Sequence, residues 1–135
     1  MNSYNHYIMS HSAKITIEQM FVAFGEKDVD KILETYADDV VIIYHGTTVI
    51  PPAQLEGKEG ARTFFQKIFQ RTEVLHFEPK QFVVEDKMVV VLGQEHQRVK
   101  RSGRELKQNW VQIYTVEHNL ITRMEEFAAS EVVKE

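Results

Sequence analysis

The chain has no cysteine. That excludes disulfides, a thiolate metal site and a cysteine nucleophile. It also has no internal repeat and no low-complexity segment, so solenoids and flexible arrays are excluded. No apolar stretch approaches the ~18 residues that span a bilayer. The start, Met1 to His11, carries neither a basic patch nor an apolar run, so no signal peptide is expected and the expected location is cytoplasmic. His-x-His and His-Glu-x-x-His spacings are missing, as are a glycine-rich phosphate loop and a serine-nucleophile motif. His45, His76 and His96 have no metal-ligand spacing, and no metal or cofactor is expected.

What remains is an ordinary globular composition. The chain has 135 residues, 43% hydrophobic and 27% charged, which suits one domain. A net charge of −4 argues against nucleic acid as a partner. The basic run Arg98, Lys100, Arg101, Arg104 and Lys107 reads as a solvated hairpin tip that discourages edge pairing.

Residues 1–13 read as an arm, residues 14–130 as the folded domain and 131–135 as a tail. A helix is expected from Thr16, with Gln19 as capping-box partner. Ile17, Met20, Phe21 and Phe24 form its apolar stripe, and Gly25 ends it. Asp28 caps a second helix with the stripe Val29, Ile32, Leu33 and Tyr36, and Asp38-Asp39 breaks it. Val40 to Tyr44 reads as a buried strand, and His45 to Gly57 as a loop. A third helix carries Ala61, Phe64, Phe65, Ile68 and Phe69 on one face.

Four strands in hairpins follow: Phe77–Val84, an edge strand by its Pro79; Met88–Val99; Leu106–Val116; and Leu120–Phe127. Their turns fall at Glu85-Asp86-Lys87, Ser102-Gly103 and His118-Asn119. The fold class is therefore segregated α+β, with helices on a curved antiparallel sheet. Trp110 and Tyr114 alternate with Val111 and Ile113, so the last strands are apolar on both faces. Helices can cover only one of those faces.

This order resembles the nuclear-transport-factor-2-like superfamily, in its SnoaL-like and ketosteroid-isomerase-like branch. The phrases that carry the resemblance begin with Phe24-Gly25-Glu26-Lys27-Asp28-Val29-Asp30, Tyr36-Ala37-Asp38-Asp39-Val40 and Leu55-Glu56-Gly57-Lys58-Glu59-Gly60. They continue with Gly103-Arg104, Trp110 to Val116 and Ile121-Thr122-Arg123. The resemblance implies a cone-shaped fold enclosing a pocket, with three N-terminal helices on the sheet. It also implies a homodimer through the outer face of the sheet, placing Val111 and Ile113 in the interface.

The superfamily's catalytic positions are only partly kept. The ketosteroid-isomerase base falls on Tyr44, its tyrosine on Met20, and its second acid near Trp110 or Gln112. None matches, so that mechanism is not expected. The limonene-epoxide-hydrolase-like branch places acids on Glu95 and Glu126, where that branch has aspartates. Its arginine falls on Gly93, and its water-holding tyrosine and asparagine fall on Ile42 and Tyr44. Two nearby carboxyls in an apolar cavity cannot easily both ionise, so one would serve as acid and the other as base. The alternative is that Glu95 and Glu126 face solvent or pair with arginines.

On a strand, Trp110, Gln112 and Tyr114 share a face. A turn at Ser102-Gly103 puts Glu95 opposite Trp110 on that face. A plain two-residue turn at His118-Asn119 puts Glu125 opposite Gln112, whereas one bulge puts Glu126 there. Tyr44, Trp110, Gln112 and Tyr114, with Phe24 and Phe65 from the helices, are the expected ligand lining. The expected function is binding of a small hydrophobic molecule. The chemistry that would accompany it is acid–base, on a polyketide-, terpenoid- or steroid-like compound. The alternative is a non-catalytic ligand-binding or dimeric association domain. No nucleic-acid or membrane partner is expected.

Overall fold

The first apolar stripe forms α1 (Ser3–Gly25). In the computed structural model residues 3–133 are described, with side chains from Ile8 onward. Ala13, Ile17, Met20, Ala23 and Phe24 of α1 are buried. The helix starts well before the expected Thr16, inside the expected arm. Residues 1–2 of that arm, and 134–135 of the tail, lie outside the described residues. Thr16 is therefore not a cap. Its hydroxyl donates within the helix to the Ser12 carbonyl at 3.2 Å and reaches the Asn119 carbonyl at 3.2 Å.

Asp28 does cap α2 (Val29–Glu34), its carboxylate accepting from the Lys31 amide at 3.1 Å. The helix is short, and Tyr36 is not on its stripe. The chain has already entered β1 (Tyr36–Tyr44), which carries Asp38 and Asp39 on its exposed side. The expected loop after β1 holds a short strand, β2 (Ala53–Glu56). Next come α3 (Gly57–Arg71), β3 (Thr72–Glu85), β4 (Met88–Val99), β5 (Glu105–Glu117) and β6 (Leu120–Val132). Strand β6 runs past the expected Phe127 because Ala128, Ala129, Ser130 and Val132 all find partners on β5.

The sheet order is β2-β1-β6-β5-β4-β3, curled but not closed, with the three helices packed against it. Strand β3 is an edge, as Pro79 requires. The sheet is not purely antiparallel: β1 and β6 pair in parallel. No hairpin joins those two strands, so nothing imposes the antiparallel direction on them.

The core lies between helices and sheet. Tyr36, Ile42, Val89, Val91, Tyr114, Ile121 and Met124 meet Ile17, Met20, Ile32 and Phe65 there. Phe21 is an aromatic hub, with ring centroids 5.3 Å from Phe77, 6.1 Å from Phe82, 6.4 Å from Trp110 and 6.3 Å from Tyr114.

Candidate functional site

Inward-facing residues of adjacent strands line up in rows across the curled sheet. One row runs Phe77, Glu95, Gln108, Ser130. The next is Gly93, Trp110, Ala128. A third is Val91, Gln112, Glu126, Tyr44. Glu95 thus pairs with Gln108 rather than with the expected Trp110. The hairpin turns one residue earlier than expected, with Arg98 opposite Glu105. The resulting offset is two residues, an even number, so Glu95 keeps its inward face.

The glycine beside Trp110 has a steric reason. A Cβ on Gly93 would lie 2.2 Å from Cζ2 of the indole. The ring occupies that space and stacks on Phe77 at 5.1 Å and 14°. Gly93, which stands where the resemblance calls for an arginine, is therefore a seat for tryptophan.

The last hairpin decides which glutamate faces inward. His118 and Asn119 have φ of 52° and 62°, the twist of a two-residue type I′ turn. Glu117 pairs with Leu120 and Val116 with Ile121. Thr122 is then the extra residue of a bulge, and Thr115 pairs with Arg123. Every later residue of β6 changes face. Glu126 arrives opposite Gln112, and Glu125 goes to the outer face, where it contacts His45 at 2.6 Å.

Glu126 is 8% exposed. Gln112 donates to it from Nε2 to Oε1 at 2.9 Å, and the Tyr114 hydroxyl donates to Gln112 Oε1 at 2.6 Å. This chain fixes the amide, since the nitrogen must face the carboxyl once the oxygen is taken. Burial pushes the Glu126 carboxyl up to about 7 from 4.5, with the Gln112 hydrogen bond pulling the other way. Glu95 keeps some surface but its carboxyl is hemmed in by protein. Burial, and then the charge of Glu126, push it up to about 8 from 4.5.

Tyr36, Tyr44 and Tyr114 are all raised from the ordinary tyrosine value, first by burial. They act as neutral hydroxyls. Thr47 weakly favours ionised Tyr44, but no hydrogen bond of good geometry reaches that hydroxyl among the described residues.

The structure therefore brings together Glu95, Glu126, Tyr44, Trp110, Gln112 and Tyr114. Phe24 and Phe65 lie on the helix side of the same interior, their rings 6.2 Å apart, with Phe24 4.9 Å from Phe77 and Phe65 5.6 Å from Tyr36. A depression of about 440 Å³ between α1 and β3 is lined by Phe21, Phe24, Phe77, Leu75 and Pro79 among others. Of the expected lining residues it touches Phe24 alone. Gln108, Ser130 and Tyr36 join the inner face without having been singled out in the sequence. The first follows from extending the alternation of β5 by one step beyond Trp110. Ser130 was hidden because β6 was expected to stop at Phe127. Among the described residues no cluster of acidic and histidine side chains is arranged to hold a metal ion, and no helix is long and apolar enough to cross a membrane.

Comparison with known proteins agrees with this architecture. An NTF2-like protein of Burkholderia xenovorans LB400 is 25% identical, with a TM-score of 0.78 over 88% of this chain and 90% of that one. A computationally designed 17-OHP binder is 21% identical, with a TM-score of 0.74 over 89% and 98%. An LEH-like epoxide hydrolase of M. tuberculosis is 12% identical, with a TM-score of 0.70 over 90% and 84%. The last two likenesses establish the fold alone. No curated protein matches the chain in sequence. The SnoaL-like domain family matches residues 17–124. The chain belongs to the SnoaL-like domain family.

Proposed function

We propose that this protein binds a small, neutral, hydrophobic molecule inside the curled sheet and performs cofactor-independent acid–base chemistry on it. The reaction is of isomerase, cyclase or epoxide-hydrolase type, on a polyketide-, terpenoid- or steroid-like compound, in the cytoplasm. The observation that carries this reading is the pair Glu95 and Glu126, two carboxyls coupled on one buried face, with Gln112 donating to only one of them.

That asymmetry assigns the roles. Glu126 is the base, because the Gln112 amide donates to its carboxyl and favours the ionised form. Glu95, raised by burial and then by the charge of Glu126, is the acid. On a ketone, Glu126 takes the proton from the α-carbon while Glu95 protonates the carbonyl oxygen, giving the enol. On an epoxide, Glu126 takes a proton from water as its oxygen attacks carbon. Glu95 protonates the ring oxygen as the carbon–oxygen bond breaks. The fold's use in an LEH-like epoxide hydrolase and in a designed 17-OHP binder supports both halves of the reading.

Incubation in D₂O with a panel of neutral enolisable ketones and epoxides provides the test, followed by NMR. Deuteration at the α-carbon reports enolisation, and diol formation reports ring opening. Turnover abolished by Glu126→Gln is the expected result. Turnover untouched by Glu126→Gln and by Glu95→Gln refutes the assignment.

A second reading, association without catalysis, has its own support on the outer face. Leu92, Val111 and Phe127 form a row across β4, β5 and β6, with Leu92 39% and Phe127 46% exposed. Apolar residues contiguous on a surface mark interaction sites. We place a homodimer interface there, including Val111 and Ile113. Dimerisation is compatible with either reading of the inner face.

A further inference from the structure

Polar atoms without partners are concentrated on the inner face. Tyr36 Oη, Tyr44 Oη, Gln108 Nε2, Trp110 Nε1 and Ser130 Oγ are all buried and make no hydrogen bond among the described residues. Gln108 and Trp110 are 5% and 3% exposed. A buried donor left unmatched costs about 1–3 kcal/mol. Native proteins keep such atoms rarely, and mostly where function uses them. Here they gather beside the two carboxyls.

All five can donate, and the three hydroxyls can also accept. Indole Nε1 and amide Nε2 can only donate, and Glu95, in its protonated form, donates as well. Ser130 stands in the same row as Glu95 and Gln108. The three inward rows contain no lysine, arginine or histidine. A donor set without a cation suits a neutral acceptor oxygen, such as a ketone, ester or ether, better than an anion.

The register gives the spacing. Gln108, Trp110 and Gln112 follow one another on the inner face of β5, and Gln112 holds Glu126. At ~3.4 Å rise per residue, the donor set stands about 7–13 Å along the strand from the Glu126 row. Phe21 and Phe77 line both the outer depression and the Trp110 cluster, so they are the partition between that depression and the inner face.

We infer that Gln108, Trp110 and Ser130 form a second polar subsite for a neutral ligand with two acceptor oxygens. One oxygen is met at the Glu126 row; the other, about 7–13 Å along the strand, accepts from Gln108 and Trp110, in and beside the row that holds Glu95. The inference rests on the proposed inner-face binding site and adds the substrate class: an elongated, difunctional, uncharged compound.

Two ketones of equal chain length test it. The first is 2-decanone, with one oxygen. The second is decane-2,9-dione, whose carbonyls span the required distance when extended. Binding is followed by calorimetry and by the fluorescence of Trp110, the only tryptophan in the chain. The dione is expected to bind wild-type protein about five- to tenfold more tightly, the gain from one well-made hydrogen bond. In Gln108→Leu the advantage of the dione over 2-decanone should shrink below about twofold. Ser130→Ala, a milder change, serves if Gln108→Leu folds poorly, and should reduce the advantage in part. Equal binding of the two ketones to wild type overturns the subsite but leaves the inner-face site standing. An advantage that survives Gln108→Leu and Ser130→Ala also overturns it. If neither ketone binds, the proposed function falls, and the subsite with it.

Discussion

Glu126→Gln should change how the protein's stability depends on pH. Below 4.5 the carboxyl is protonated in both the folded and the unfolded chain, so it contributes no pH dependence. Between 4.5 and about 7 the unfolded chain has released the proton and the folded chain still holds it. Unfolding is then favoured progressively as pH rises. Above about 7 the penalty is complete. At about 1.4 kcal/mol for each pH unit, it reaches roughly 3 kcal/mol. The amide of the variant has no proton to lose, yet its oxygen still accepts from Gln112. Urea unfolding at pH 5 and pH 8.5 measures the effect. Wild type should lose stability over that interval, and the variant should lose about 2–3 kcal/mol less. Parallel losses in the two proteins would falsify the claim that Glu126 is a desolvated carboxyl. A change of opposite sign would mean that the folded protein stabilises its ionised form.

Gly93→Ala should destabilise the fold by about 2–3 kcal/mol, because the new methyl group overlaps the Trp110 ring. Thermal melting and a shifted Trp110 emission report it, and an unchanged melt would place the indole elsewhere. Light scattering at micromolar concentration should give a dimer, and Val111→Glu should give a monomer with native circular dichroism. A wild-type monomer removes the proposed interface. Deleting residues 1–12 should leave the protein folded with a small fall in Tm, since the first buried side chain described in α1 is Ala13. A large fall would make the first turns of α1 part of the structure's support.

Much of the fold was legible because its signals are local. Helical stripes located α1 and α3, Asp28 announced the start of α2, and Pro79 marked the edge strand. Failures came where tertiary contacts outvote local preference. Asp38 and Asp39 look like a helix stop, but β1 pairs with β6 at Tyr36 and again from Val41, and the strand bulges through both aspartates, which are exposed. The polar first residues of α1 gave no periodic stripe from which a helix could be read.

The residues of the candidate site were legible in composition and not in register. Glu95 was found on the correct face despite a misplaced turn, because the error was an even number of residues. Glu126 depended on a single inserted residue, Thr122, and no side-chain pattern in β6 announces that bulge. Two readings of the hairpin followed equally well from the residues, and only the pairing of Gln112 with Glu126 separates them.

The central claim is that Glu95 and Glu126 are coupled carboxyls on a buried face. Titration of protein carrying ¹³C at the glutamate carboxyls, followed by NMR and assigned through Glu95→Gln and Glu126→Gln, tests it without any substrate. Two carboxyl signals should titrate late, near 8 and near 7. Removing Glu126 should lower the value of Glu95, because the charge that helps to raise it is gone. If both residues titrate near the ordinary glutamate value of about 4.3 and neither responds to loss of the other, the buried acid–base pair does not exist.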